Sequence, residues 1–379
     1  MFALDEDRQA IREMASQFAA ERIAPFALEW DAEKHFPVDV FREAGALGMG
    51  GIYVREDAGG SGLGRLDAAL IFEALASGCP STASFISIHN MVASMIDRFG
   101  SDAVRQRFLP ELCTFEKVGA YCLTEPGSGS DAAALSTKAV RNGDHYVVTG
   151  VKQFISGGGA ADVYAVMVRT GDTGAKGIST LLIEKDTPGL SFGVNERKMG
   201  WNTQPTRQVI LEEAIVPAEN LLGNEGDGFR FAMAGLDGGR LNISACSLGG
   251  AQSALDRAVT YMSERKAFGK KLADFQALQF RAADFAISQE VARTFLWRAA
   301  AAVDAKDPRA TELVAMAKRH VTDSCFEVAN GALQLLGGYG YLSEYGIEKI
   351  VRDLRVHQIL EGTNEIMRLI VARKLLGER

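Results

Sequence analysis

The sequence predicts an α+β protein in three consecutive parts: an N-terminal helical domain, a middle antiparallel β domain and a C-terminal helical domain like a four-helix bundle. Three observations carry this. Apolar residues recur at helical spacing at both ends of the chain, and the centre switches to short alternating or continuous apolar runs. The turns between those runs leave no room for long crossover helices, so neighbouring strands run antiparallel. Helices and strands are therefore segregated along the chain, unlike the alternation of a doubly wound parallel sheet.

In the first part, residues 1–117, Leu4, Ile11, Met14 and Phe18 step by seven, three and four and share one helix face. Glycines at 48–51 and 59–64, with Pro25, Pro37 and Pro80, punctuate the helices. The second part, 118–228, holds strand-like runs at 146–148, 163–168, 178–183 and 208–211. Asn142-Gly143, the glycines at 157–159 and 171–177, and Pro188-Gly189 supply its turns. In the third part, 229–379, Val314, Ala317, Val321, Cys325, Val328, Ala332 and Leu335 form one apolar stripe. A coiled coil would use the same spacing, but the cysteine and alanines are small and Gly337-Gly338 ends the stripe, which favours a closely packed bundle.

The 379 residues are 47% hydrophobic and 23% charged, ordinary for a globular protein with two or three domains. A net charge of −7 with no basic run argues against nucleic-acid binding. Cys79, Cys113, Cys122, Cys246 and Cys325 are scattered and odd in number, as expected of reduced, buried thiols. No histidine spacing suits a metal, and none is expected. The start MFALDEDRQAIREMA is acidic and amphipathic, so no export signal is expected. No run approaches the roughly 18 apolar residues of a membrane span. Both point to the cytoplasm of a bacterium, or the mitochondrial matrix for a mature eukaryotic chain.

The most informative segment is YCLTEPGSGSD at 121–131. Its glycines let backbone approach a ligand, and Thr124, Ser128 and Ser130 add short hydrogen-bonding groups. Taken alone it reads as a surface turn. Gly127, Gly129 and Ala132 also satisfy G-x-G-x-x-A, the dinucleotide fingerprint, but the Asn142-Gly143 turn soon follows where that fold needs a long helix.

Five motifs in the same order along nearly the whole chain resemble the acyl-CoA dehydrogenase family: YCLTEPGSGSD, KQFISG at 152–157, RKAFG at 265–269, QLLGGYGY at 334–341 and QILEGTNEI at 358–366. The resemblance implies a flavoprotein that binds FAD without a dinucleotide fold, oxidises the α and β carbons of an acyl-CoA, and passes electrons to electron-transferring flavoprotein. It assigns the flavin surface to Tyr121, Cys122, Leu123, Thr124, Glu125, Pro126, Gly127, Ser128, Gly129, Ser130, Phe154, Ile155 and Ser156. Arg265, Phe275, Gln276, Gln334, Leu335, Leu336, Gly337 and Gly338 would reach FAD across a subunit interface, and Thr363, Asn364 and Glu365 complete the set. A homotetramer built as a dimer of dimers follows from the family.

For substrate, the resemblance implies Ser130, Asp237, Gly238, Gly239, Arg240, Gly362 and Arg373, and it places the general base at Glu361. The α-proton of a thioester is very weakly acidic, so a base must remove it while the enolate is stabilised. Glu361 follows Val356, Ile359 and Leu360 and precedes Gly362, Thr363 and Asn364, a bend where an apolar setting would strengthen the carboxylate as a base. Some relatives carry the base two positions after an LD pair, but that position here is Gly239. Arg240 is either a substrate neighbour or a plain helix ion pair.

FISIHNM at 85–91, GWNTQPTR at 200–207 and GLDGGRLNIS at 235–244 resemble the branch that converts isobutyryl-CoA to methacrylyl-CoA in valine breakdown. Neighbouring short or 2-methyl-branched acyl-CoAs remain open, since one methylene changes binding by only about 1–3 kcal/mol. Three other readings are separable by observation. An NAD-dependent dehydrogenase would be colourless, a non-catalytic acyl-CoA-binding protein would show no substrate-driven flavin bleaching, and an oxidase would form peroxide in air.

Overall fold

The computed structural model describes residues 4–377. The chain opens with helices α1 (Glu6–Phe18), α2 (Ala27–Glu33), α3 (Val38–Ala46), α4 (Arg65–Gly78), α5 (Pro80–Phe99) and α6 (Asp102–Cys113). Asp5 caps α1 by accepting from Arg8 N, and the face read from the sequence turns Phe18 into the core with Ile11 and Met14 packed beside it. Pro80 at the first position of α5 separates it from α4 by the single residue Cys79. Helix α5 is buried along most of its length and forms the floor on which sheet and C-terminal helices meet.

Strands β1 (Gly119–Cys122), β2 (Lys138–Asn142), β3 (His145–Ser156), β4 (Val163–Arg169), β5 (Ile178–Glu184), β6 (Leu190–Phe192), β7 (Thr206–Pro217) and β8 (Leu221–Leu222) form one sheet. Its order is β6-β7-β3-β2-β4-β5-β8, with β1 paired to β4. Most ladders are antiparallel as expected, but β1 runs parallel to β4, and β2 meets β4 parallel at Lys138 and Arg169. The β2–β3 hairpin reverses the chain between them and so takes the place of a crossover helix. Strand β7 is longer than the 208–211 run because it follows β3 through two register shifts, one between Lys152 and Ile155.

The remaining elements are α7 (Gly228–Glu264), the small hairpin β9 (Lys266–Ala267) and β10 (Lys270–Lys271), α8 (Gln276–Asp304), α9 (Ala310–Leu335), α10 (Ile347–Arg355) and α11 (Asn364–Leu375). Small residues let α7 run close to its neighbours: a methyl at Gly250 would sit 2.8 Å from Pro80 Cγ and 3.1 Å from Leu354 Cδ2. Every residue of the α9 stripe read from the sequence is buried. All five cysteines are buried and unpaired. Among the described residues, no helix is long and apolar enough to cross a membrane.

Candidate active site

Strand β1 delivers the chain into a tight turn closed by Glu125 N to Ser128 O at 2.9 Å and Ser128 N to Glu125 O at 3.1 Å. Gly127 and Gly129 face open space, with no atom within 4 Å of where a Cβ would stand. The hydroxyl proton of Ser128 is already committed, its Oγ donating to Asp131 O at 2.6 Å. Glu125 points inward, accepting from Lys152 Nζ at 2.8 Å, Ser136 N at 2.6 Å, Ser136 Oγ at 2.8 Å and Thr137 N at 2.9 Å. Burial opposes its ionisation, but Lys152 and these donors hold its carboxyl down at about 2. Glu125 is thus a strut under the turn, and any ligand contact from it is through backbone.

Lys152, fully buried, also donates to Leu123 O at 3.2 Å, and Gln153 N donates to Thr124 O at 2.8 Å. These bonds fasten the end of β3 to the glycine turn. The register shift between Lys152 and Ile155 sends Phe154 into the left-handed region, φ 58°, leaving its ring 63% exposed while Ile155 turns into the core. Thr124, Ser130 and Ser156 are partly or fully exposed around the same surface. An exposed ring, open glycine backbone and hydroxyls fit a flat heteroaromatic group with polar edges, which is what a flavin presents.

Glu361 sits where α10 runs out. The N–H groups of Ile359 and Leu360 both reach Val356 O, at 2.9 and 3.0 Å, and the Glu361 N–H has no acceptor among the described residues. Glu361 and Gly362 then take φ 59° and 86°, and Thr363 caps α11 by accepting from Ile366 N. The Glu361 carboxylate lies over α7 at Gly239, where a Cβ would come within 2.5 Å of Oε1. Glycine there makes room for the base.

Burial pushes the Glu361 carboxyl up to about 7, against the opposing pull of Arg240 and Lys318. Its Oε2 is buried without a partner, and so is the hydroxyl of Tyr121 on β1. Burial and the Glu361 charge push that phenol well above its ordinary value. Two unpartnered polar atoms at one place mark where a polar group of a ligand belongs. Arg240, the ambiguous residue of the sequence, makes the helix ion pair, Nη1 to Asp237 at 2.8 Å, and its Nε also donates to Glu361 O at 3.0 Å, which places it beside the candidate base. Asp237 also accepts from Thr311 Oγ1 at 3.1 Å.

Other expected residues stand differently. Cys122, Leu123, Leu335, Leu336 and Asn364 bury their side chains, leaving backbone for contact. Gly238 packs against the Arg65 guanidinium. Arg265, at the far end of α7, is 25 residues from Arg240, about 37 Å along the axis. With Gly338, Leu336 and Tyr339 it lines a surface hollow of about 310 Å³. Gln334, Gly337 and Gln276 are exposed and Phe275 half-buried, away from the glycine turn in sequence and in element. Exposed Arg373 lies nine residues along α11 from Asn364, about 14 Å, and Glu365 is exposed in the first turn of that helix. Two buried lysines at the site, Lys152 and Lys318, were not singled out from the sequence. Lys318 interrupts the α9 stripe four residues after Val314, and that was the available signal.

Models for the acyl-CoA dehydrogenase N-terminal, middle and C-terminal domains match residues 5–116, 120–214 and 226–376. The isobutyryl-CoA dehydrogenase of Dictyostelium discoideum mitochondria is 58% identical over 98% of this chain and 90% of its own. Butyryl-CoA dehydrogenase from Megasphaera elsdenii superposes with a TM-score of 0.96 at 38% identity, covering 99% of this chain and 100% of that one. PigA with FAD and proline superposes at 0.96 and 30% identity, over 100% of both chains. With three domain models in order and this likeness over nearly its full length, the chain belongs to the acyl-CoA dehydrogenase family.

Proposed function

We propose that the protein is an FAD-dependent dehydrogenase of short branched acyl-CoA thioesters, converting isobutyryl-CoA to methacrylyl-CoA, with Glu361 as the base. The carrying observation is a carboxylate pushed up to about 7 by burial, packed directly over Gly239, with its Oε2 and the Tyr121 hydroxyl both buried and unpartnered. At neutral pH such a group is poised both to ionise and to take a proton. The unspent Glu361 N–H can donate to the thioester oxygen as negative charge gathers there. Arg240 fixes the Glu361 carbonyl, and so holds the peptide that joins the base to Gly362. The strut of Glu125 and Lys152 keeps the glycine turn and Phe154 in place to bind and flank the flavin. FAD, when bound, supplies the acceptor for the hydride leaving the β-carbon. The isobutyryl preference is supported by the 58% identity to an isobutyryl-CoA dehydrogenase.

The electrons are proposed to leave for electron-transferring flavoprotein. Because Arg265 is about 37 Å from Arg240 on one helix, no single flavin site uses both from one chain. Exposed Phe268, Phe280, Ile287 and Val291 further support assembly of copies, as the tetramer reading requires. The proposed location is a bacterial cytoplasm or a mitochondrial matrix.

The test is anaerobic addition of isobutyryl-CoA or octanoyl-CoA to purified protein. Bleaching that is faster and fuller with isobutyryl-CoA supports the proposal, and preference for octanoyl-CoA overturns the branch. Glu361→Gln should retain the flavin spectrum and lose nearly all bleaching; full activity would overturn the base assignment.

A further inference from the structure

Helix α9 sets one ammonium into its apolar face. Lys318 lies between Val314 and Val321 and is 0% exposed. A buried ammonium costs several kcal/mol unless its donors are satisfied. Lys318 has no carboxylate within ion-pair distance among the described residues. It donates instead to Gly362 O at 2.9 Å and Asn364 Oδ1 at 2.8 Å, both in the turn that carries Glu361. The Asn364 amide is fixed in turn, its Nδ2 donating to Thr322 Oγ1 at 3.0 Å and Asp323 Oδ1 at 2.6 Å. Arg240 holds the other side of the turn through Glu361 O at 3.0 Å.

The turn needs such holding. A glutamate at φ 59° sits in a region that costs a non-glycine residue about 1–2 kcal/mol, and it persists only where the surroundings impose it. We propose that Lys318 is a positioning residue for the base: its ammonium clamps Gly362 and Asn364 so that the Glu361 carboxylate projects over Gly239, and its charge favours the ionised carboxylate. The inference rests on Glu361 being the base.

The charges around the pair are few. Facing Lys318 are Glu361, Asp323 and Glu365, which favour its ammonium, and Arg240, which opposes it; burial brings it down to about 8. His357, four residues before Glu361, is held at about 3 by burial and by Lys318, so it stays neutral. Facing Glu361 are the cations Arg240 and Lys318, the Tyr121 phenol and the Cys246 thiol. Burial pushes Cys246 up to about 12, and both neutral groups remain protonated near neutrality. Lys318 is therefore one of two cations that oppose protonation of the base.

The experiment compares the holoenzyme with Lys318→Met, Lys318→Gln and Lys318→Arg. It reads bound FAD, Tm, kcat and KM for isobutyryl-CoA across pH about 6 to 9, and exchange of the substrate α-proton in D2O by NMR. Lys318→Met should lower kcat on the order of 10²-fold with little change in KM, and move the acidic limb of kcat/KM up by about 1 pH unit. Lys318→Gln should move the limb similarly but recover rate at high pH, while Lys318→Arg should leave the limb in place. An unmoved limb in both neutral variants overturns the proposal, including when rate, Tm and FAD fall together, which marks a structural role alone. If Lys318→Met does not fold, the limbs of the Gln and Arg variants decide. Wild-type enzyme that exchanges no α-proton with any acyl-CoA would instead overturn the base assignment.

Discussion

Replacing Gly239 with alanine adds one methyl where the base now lies. The new Cβ would collide most closely with Glu361 Oε2, and would stand 2.5 Å from Oε1 and 2.6 Å from Cδ, against about 3.5 Å for an unstrained contact. The carboxylate must therefore retreat by at least about 1 Å, and it can, since it is the end of a flexible side chain. A misplacement of that size costs about 10²-fold in rate, or about 2.7 kcal/mol of barrier. The backbone at 239 is ordinary helix inside α7, so alanine should leave the fold unharmed or stabilise it by about 0.5–1 kcal/mol. Gly239→Ala should thus keep its FAD and its Tm while substrate-driven flavin reduction, followed anaerobically by stopped flow, slows about a hundredfold. Reduction at the wild-type rate would refute the placement of the Glu361 carboxylate over Gly239.

Two further outcomes concern stability. The Glu361 carboxyl is raised from 4.5 to about 7, so its contribution to stability is fully present below 4.5 and is lost as pH rises through 7. Glu361→Gln should therefore gain about 3 kcal/mol on the wild type between pH about 4 and 8, measured by denaturant unfolding at matched FAD; a constant difference would contradict burial of the base. Glu125 has the opposite sign: held down at about 2, its carboxylate stabilises the fold above 4.5 and loses that effect as pH falls through 2. Lys152→Met, which strands that buried carboxylate, should cost about 3–5 kcal/mol at pH 7 and release FAD, with the penalty shrinking in acid; unchanged Tm and flavin content would remove the strut.

The helical ends were legible because their periods are long. The stripe from Val314 to Leu335 spans most of α9 and every member is buried. The centre was legible as strands but not as ladders: parallel pairing of β1 with β4 depends on how the β2–β3 hairpin redirects the chain, and no local pattern encodes that. In the site, the glycine turn announced itself through Pro126, Gly127 and Gly129, but the inward aim of Glu125 did not. Its partner Lys152 is 27 positions away, and the pairing exists only once β3 lies beside the turn. Phe154 was noticed as part of a motif, while its exposure follows from a register shift that only the β3–β7 ladder reveals. Glu361 could not be chosen among the 48 acidic residues by chemistry alone. Its burial, its lifted carboxyl and its close packing over Gly239 are properties of three elements meeting; the family pattern singled out the residue, not this geometry.

The central claim is that this chain uses a flavin to oxidise a short branched acyl-CoA, and the most direct test is the visible spectrum of the purified protein before and after anaerobic isobutyryl-CoA. The account predicts a flavin spectrum that bleaches on addition and does not bleach in Glu361→Gln. A flavin spectrum untouched by isobutyryl-CoA, octanoyl-CoA or any short acyl-CoA would contradict it.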